Sequence, residues 1–267
     1  MIGEDVLDLG GQVALVTGAG QGAGKATALM MARHGAGGVA VNDFVLERAE
    51  AVAEEIRALG VKAAAVQADV SDLASVQAMA AKATDELGPV TILVNNAGMA
   101  GPNAMLRPKH NFWEEDPAEW GKYLGTNLYG VFNCCHALLP GMVEAKRGRI
   151  VTVVSDAGRV GEPRQAVYSA AKAGAAGFMR SLAKEGGRFG ITANSIALSS
   201  LEFPMSEEEK DKFYQLDQIK AQLSRYVIRR YGKPDEVAAL TLFLCSDMAG
   251  WITGQTYPLN GGYSFAV

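Results

Sequence analysis

Cysteine is nearly absent from this chain. Of 267 residues three are cysteine, with Cys134 and Cys135 adjacent and Cys245 far from both, so neither a disulfide framework nor a CxxC metal knuckle can be written. Histidine is equally scarce, and His34, His110 and His136 show neither HExxH nor HxxxH spacing. That removes the usual helical zinc signature and disfavours a zinc-dependent alcohol dehydrogenase. The expectation is a metal-independent protein with reduced, buried thiols.

No apolar run approaches the roughly 18 residues that a membrane span requires. Residues 1–11 are acidic and lack the basic and apolar stretches of a secretory leader. A positive field is missing too: 25 basic against 29 acidic residues leave a net charge of -4, with nothing to gather phosphate backbones. These absences predict a cytoplasmic protein that engages neither nucleic acid nor membrane. What is present, 49% apolar and 20% charged residues with 31 Gly and 9 Pro, is ordinary globular composition. A chain of this length can bury about 70–75% of its unfolded surface, enough for a core without staples.

Short β-branched runs at residues 13–17, 39–42, 63–67, 91–94, 150–154 and 192–196 read as strands. Stretches of helical period at 25–34, 46–59, 73–87, 117–140 and 168–189 separate them, each long enough to cross between parallel strands. The alternation predicts an α/β fold: a single doubly wound, Rossmann-type parallel sheet with helices on both faces. No Pro/Ser-rich linker or shift of composition divides residues 1–267, which read as one domain. Two segments break the rhythm. Residues 99–120 hold Pro102, Pro108 and Pro117 with Phe112, Trp113 and Trp120, a long connection stiffened by proline. After Pro204, Ser206 and Glu209 form a capping box, and Phe213, Leu216, Ile219, Leu223 and Val227 fall on one helix face. Residues 199–230 therefore read either as a substrate lid or as a packed surface helix.

Immediately after the first strand, Thr17-Gly18-Ala19-Gly20-Gln21-Gly22-Ala23-Gly24-Lys25 places four alternate glycines ahead of a helix. Glycine lets the backbone turn tightly against a pyrophosphate, whose charge a helix N-terminus stabilises. The bland alternative is a plain strand-to-helix turn. A nucleotide-triphosphatase loop would need Gly at position 19 and Ser or Thr at position 26, where the chain has Ala19 and Ala26. Asp43 follows the second strand, 19 residues after Gly24, close to the spacing at which a carboxylate takes the hydroxyls of an adenosine ribose. It could instead be a turn or cap. A carboxylate there repels a 2'-phosphate, and neither Gln21 nor Phe44 offers a cation, so NAD is favoured over NADP. Asp69 reads either as an acceptor for the adenine amino group or as the cap of a helix starting near Ser71.

The glycine loop, Asn95-Asn96-Ala97-Gly98 after the fourth strand, Ser155 after the fifth and Tyr168-Ser169-Ala170-Ala171-Lys172 together resemble the short-chain dehydrogenase/reductase family. Gly232-Lys233-Pro234-Asp235-Glu236 and the stretch from Thr253-Gly254-Gln255 to Gly261-Gly262 extend the likeness over nearly the whole chain. The resemblance implies one dinucleotide-binding catalytic domain. Gly18, Gln21, Gly22, Ala23 and Gly24 would hold the pyrophosphate, and Asp43, Phe44, Asp69 and Val70 the adenosine. Asn96, Ala97, Gly98, Tyr168 and Lys172 would line the nicotinamide side, with Lys172 on its ribose. It also implies a symmetric homo-oligomer, a tetramer, formed through the helices at 117–140 and 168–189.

The chemistry accounts for the residue types. Hydride exchange at a carbon bearing oxygen must be matched by proton transfer at that oxygen. Tyr168 is the candidate acid/base, but an unperturbed phenol, with a pKa of about 10, is a poor base at neutral pH. Lys172 lies one helical turn on, where its ammonium favours the phenolate. Ser155, leaving its strand at the C-terminal end, can hydrogen-bond the substrate oxygen. Asn127, in Thr126-Asn127-Leu128-Tyr129-Gly130, matches the helix asparagine whose resemblance implies a water held near the lysine. One departure stands out: where the family usually has Pro-Gly after the sixth strand, this chain has Leu198-Ser199, so the contact to the nicotinamide amide is unassigned.

The expected activity is an NAD-dependent interconversion of a secondary alcohol and a ketone. The alternative is a ketoacyl or cyclic hydroxyacyl thioester dehydrogenase/reductase, the cyclic substrate suggested by the run from Ser155-Asp156-Ala157-Gly158 to Arg159-Val160-Gly161. A third reading is an NAD-sensing protein of the same fold without turnover. A hydrolase built on Ser155 lacks the GxSxG elbow.

Overall fold

The computed structural model describes residues 5–99 and 110–265. Its short apolar runs form strands β1 (Val13–Val16), β2 (Gly38–Asp43), β3 (Lys62–Gln67), β4 (Val90–Asn95), β5 (Gly148–Ser155), β6 (Ile191–Leu198) and β7 (Thr256–Leu259). They make one sheet in the order β3-β2-β1-β4-β5-β6-β7, with every neighbouring pair parallel. The order reverses between β1 and β4, and the crevice beyond the carboxyl ends of these strands is where open parallel sheets bind ligands.

Helices cover both faces, as the alternation of strand side chains requires. On one face α1 (Gly22–Arg33), α2 (Leu46–Ala58) and α10 (Pro234–Cys245) bury Met31, Ile56 and Leu242 against Val16, Val41 and Ile92. On the other, α3 (Leu73–Leu87), α5 (Gly130–Ala145) and α7 (Ala166–Gly186) bury Met79, Cys135 and Met179 against Leu15, Leu93 and Ile150. Successive sheet residues such as Ile92 and Leu93 thus serve different cores, the signature of a sheet with no wet face. All three thiols are free and buried, as expected.

Four departures from the sequence expectation have physical causes. The helix expected at 117–140 is α4 (Trp120–Leu124), a π-turn over Gly125–Tyr129 and α5 in succession. It also runs on past Pro140 to Ala145. Pro140 and His136, whose carbonyl loses its partner there, are exposed, so water can take the lost bond while buried Leu138 and Met142 keep the helix seated. The helix expected after Pro204 is two: α8 (Glu207–Gln215), with the Ser206/Glu209 capping box, and α9 (Asp217–Leu223). Leu216 is extended between them, and Val227 stays exposed, because Phe213 turns to Phe203 and Tyr231 instead. Strand β7, absent from the expected set, is short and holds Pro258, tolerated since β7 is an edge. Helix α10 likewise lies outside the expected set. Residues 100–109 of the proline-rich connection, including Pro102 and Pro108, lie outside the described residues; beyond them, Phe112 stacks on Trp120 with ring centroids 5.5 Å apart.

Candidate active site

Backbone chemistry builds the first half of the crevice. Thr17 pins β1 to β4: its hydroxyl accepts the N–H groups of Asn96 (3.1 Å) and Ala97 (3.0 Å). Asn96 answers with its side-chain amide, donating to the carbonyl oxygens of Thr17 (2.9 Å) and Gly18 (3.1 Å). The two strand ends are thereby locked side by side. A methyl on Gly24 would lie 2.3 Å from the Gly18 carbonyl oxygen, so only glycine lets α1 start this close to β1. Gly22 has φ +56 and open space where a side chain would stand.

A helix leaves its first N–H groups without intrahelical partners. At α1 the N-cap residue, Gln21, makes no side-chain cap bond. The uncapped start, beside Gly22 and its open space, fits the pyrophosphate of a dinucleotide. Asp43 is only 6% exposed and accepts N–H from Gly20 (3.1 Å) and from Val45 (3.0 Å). Its carboxylate retains lone pairs for ribose hydroxyls. Phe44 is exposed beside it. Arg48, absent from the sequence expectation, also borders the loop: its Cβ comes within 2.5 Å of where a Gly20 side chain would begin. Arg48 therefore begins beside this rim. Asp69 accepts from the N–H and hydroxyl of Ser71, whereas the cap of α3 is Asp72. Val70 is buried against Gly130 at the start of α5.

Side chains build the second half. Ser155 ends β5, and Tyr168 and Lys172 project from α7 one turn apart. Lys172 is 4% exposed, donates to the Val153 carbonyl oxygen at 2.9 Å and lies 5.9 Å from the centre of the Tyr168 ring. Burial pulls its pKa down to about 8. Burial also raises the Tyr168 phenol above its ordinary value, while the neighbouring Ser155 hydroxyl acts in the lowering direction. The ammonium and phenol are thus held near each other, with burial acting on both.

Asn127 sits in the π-turn, fully buried. Its amide nitrogen donates to the carbonyl oxygens of Met99 (2.9 Å) and Tyr123 (3.0 Å), and its amide oxygen accepts the Met99 N–H at 3.1 Å. π-turns of this kind recur at functional sites. Here the turn carries the bond from Asn127 to Met99, which follows the Asn95–Gly98 run. A methyl on Gly98 would be 3.1 Å from Lys172 Nζ and 3.2 Å from Asn127 Oδ1, so lysine and asparagine flank the same small residue. The structure gathers Asn96, Gly98, Asn127, Ser155, Tyr168 and Lys172 at one end of the switch point.

Beyond β6, Leu198-Ser199 in place of Pro-Gly is held by another route. Ser199 shares a hydrogen bond with Tyr226 at 2.5 Å, and Gln222 links Ser200 (3.0 Å) to the Tyr231 hydroxyl (2.9 Å). These partners come from α9 and the segment after it, which no local motif announced. Among the described residues no group of His, Cys, Asp and Glu is arranged to hold a metal ion, and no helix is long and apolar enough to cross a membrane.

A parallel sheet with a glycine-lined switch point and a Ser, Tyr and Lys set beside it defines a nucleotide-dependent oxidoreductase, and the chain belongs to the short-chain dehydrogenase/reductase family. Residues 18–264 match the family described as Enoyl-(Acyl carrier protein) reductase. The chain is 40% identical over 254 residues to 3-oxoacyl-[acyl-carrier-protein] reductase FabG of Staphylococcus aureus, covering 93% of this chain and 96% of that protein. It is 39% identical over 253 residues to the (2S)-[(R)-hydroxy(phenyl)methyl]succinyl-CoA dehydrogenase subunit BbsD of Thauera aromatica, covering 95% and 96%. A crystal structure from Sinorhizobium meliloti, described as a short-chain alcohol dehydrogenase, superposes with a TM-score of 0.86 at 34% identity over 97% of this chain and 98% of that one.

Proposed function

We propose that this oxidoreductase is NAD-dependent and interconverts a secondary alcohol and a ketone, with Tyr168 as acid/base. The observation that carries the reading is the convergence of Ser155 and Tyr168, both partly buried, with buried Lys172 at the carboxyl end of the sheet. The nicotinamide, when bound, supplies or accepts the hydride. The chain's own groups do the rest. Ser155 hydrogen-bonds the substrate oxygen, Tyr168 gives it a proton in reduction and removes one in oxidation, and the Lys172 ammonium favours the phenolate that oxidation requires. Asn127 holds the main chain at Met99 so that a water can reach Lys172.

On the cofactor side, Gly18, Gln21, Gly22, Ala23 and Gly24 take the pyrophosphate and Asp43 the adenosine ribose, with Phe44, Asp69 and Val70 around the adenine. Asp43 favours NAD because its carboxylate repels a 2'-phosphate. Arg48 supports a second reading, in which the 2'-phosphate of NADP pairs with this guanidinium. The substrate also has a second reading: both named relatives carry in their names an oxo or hydroxy group on an acyl chain attached to acyl-carrier protein or coenzyme A. A 3-oxoacyl or hydroxyacyl thioester is the specific form it would take here. Residues 199–230 form the wall over the substrate, and α5 and α7 pair the chain into a homo-oligomer, a tetramer, which sedimentation would test.

The deciding experiment follows nicotinamide absorbance with cyclohexanol, acetoin and acetoacetyl-CoA, each with NAD(H) and NADP(H). Turnover preferring NAD by more than about tenfold, abolished in Asp43→Arg, supports the cofactor assignment. A preference for NADP lost in Arg48→Ala replaces it. NAD binding without turnover of any substrate would leave a sensor.

A further inference from the structure

One buried carboxylate beside the site has no role in the proton chemistry. Asp156 follows Ser155 directly and is 2% exposed, a depth at which a carboxylate requires both oxygens to be hydrogen-bonded. Two partners provide this. Arg159 Nη1 donates to Oδ1 at 2.7 Å, and Asn260 Nδ2 donates to Oδ2 at 2.6 Å. Asn260 is 104 residues away, in the segment after β7. Its amide nitrogen also donates to the Ser264 carbonyl oxygen at 2.8 Å, and its amide oxygen accepts the Gly262 N–H at 3.0 Å. Arg159 completes the loop by donating to Ser264 Oγ at 3.0 Å and to the Phe265 carbonyl oxygen at 3.2 Å.

The main chain of Asp156 is equally committed. Its N–H donates to the Leu198 carbonyl oxygen at 2.9 Å, at the point where β6 departs from the family pattern. Its own carbonyl oxygen accepts the N–H groups of Arg159 (2.8 Å) and Val160 (2.9 Å), which opens α6 (Ala157–Val160). The next N–H, of Ala157, donates to Ser155 Oγ at 3.2 Å. Carboxylate, turn and serine hydroxyl are therefore linked through one set of hydrogen bonds.

We infer that Asp156 is a positioning residue: through Arg159 and Asn260 its carboxylate fixes the turn that aims the Ser155 hydroxyl at Tyr168, so that residues 260–265 govern turnover without touching substrate. This rests on the role proposed above for Ser155. An anchor serving only to hold residues 260–265 in place would support stability alike in all its variants and leave the chemical step to Ser155 alone.

Three variants separate these cases. In Asp156→Asn the new amide offers one oxygen to two donors and turns its own donor on the other. Reversing the pair, Asp156→Asn with Asn260→Asp, restores the donor–acceptor match between the two side chains and with Arg159, while giving up the bond from residue 260 to the Ser264 carbonyl oxygen. With whichever of cyclohexanol, acetoin or acetoacetyl-CoA turns over fastest, kcat of Asp156→Asn falls about tenfold or more, while KM and NAD affinity, read by protein fluorescence, stay within about threefold. The reversed pair regains part of kcat. Asn260→Ala, which keeps the Arg159 contact, loses less and remains measurable if Asp156→Asn does not fold. Ser155→Ala is run alongside. If it is inactive while Asp156→Asn, or failing its folding Asn260→Ala, keeps kcat within about twofold, the inference is overturned and the reading of Ser155 stands. If Ser155→Ala keeps full turnover, both fall. Loss of kcat, KM and NAD affinity in proportion, without recovery in the reversed pair, also overturns it.

Discussion

Around β1, α1 and β4 the crevice is made of backbone: glycines, strand ends and the first turn of a helix, with Thr17, Asn96 and Asp43 bonding to main-chain groups. Around β5, β6 and β7 it is made of side chains that reach across the sequence, Asp156 to Asn260 and Ser199 to Tyr226 among them. The first half is specified by a run of consecutive residues and the second by residues that meet only after folding. A backbone site answers to steric change, and a side-chain site to charge and polarity.

That contrast can be tested from the substrate half downward in size. Tyr168→Phe removes the proton donor and leaves the ring, and kcat is expected to fall by about 10²–10⁴ with NAD titration unchanged. Retained turnover would break the assignment of chemistry to that half. Lys172 gives a pH signature in the ligand-free protein. Its folded pKa of about 8 lies below that of the unfolded chain. Between about pH 8 and 10 the unfolded state holds the proton and the folded state does not, so this residue makes stability rise with pH there. Above pH 10 the raised phenols of Tyr168, Tyr231 and Tyr263 act in the opposite direction, because the unfolded chain then ionises first. Chemical denaturation across pH should show Lys172→Met more stable at neutral pH, by at most about 3 kcal/mol, and the slope between pH 8 and 10 reduced.

In the backbone half, Gly24→Ala forces Cβ to within 2.3 Å of the Gly18 carbonyl oxygen. A cost of about 1–3 kcal/mol is expected from such overpacking, together with loss of the extra thermal stability that NAD confers on the parent. A variant that still gains stability from NAD would show that the loop tolerates bulk. The smallest effect belongs to Arg225, which pairs with Glu162 at 3.7 Å, meets Tyr263 and is half exposed. Arg225→Ala should change stability by less than about 1 kcal/mol and raise substrate KM a few-fold with kcat unchanged.

How much of this was legible follows the same division. Residues 73–87 were readable to the residue as a helix because Val76, Met79, Ala80 and Ala83 repeat at helical spacing. The glycine loop and the Tyr168 and Lys172 pair were readable because each is a short run with its own geometry. The π-turn was not, because nothing in Thr126-Asn127-Leu128 distinguishes an i+5 bond from an i+4 bond before Asn127 finds Met99. Arg48 was not legible because it is not adjacent to Asp43 in sequence and reaches the glycine loop only once α2 has formed. The split of 206–227 into two helices was hidden for a related reason: the aromatic partners of Phe213 lie on either side of it in sequence, outside the stripe.

Gly98 contributes no side-chain atom, yet it sets the gauge of the passage between two polar groups 45 positions apart in sequence, Asn127 and Lys172. One methyl would stand 3.1 Å from the ammonium and 3.2 Å from the amide oxygen, like a wedge driven into a narrow door. The width of that opening is inherited from what the chain leaves out.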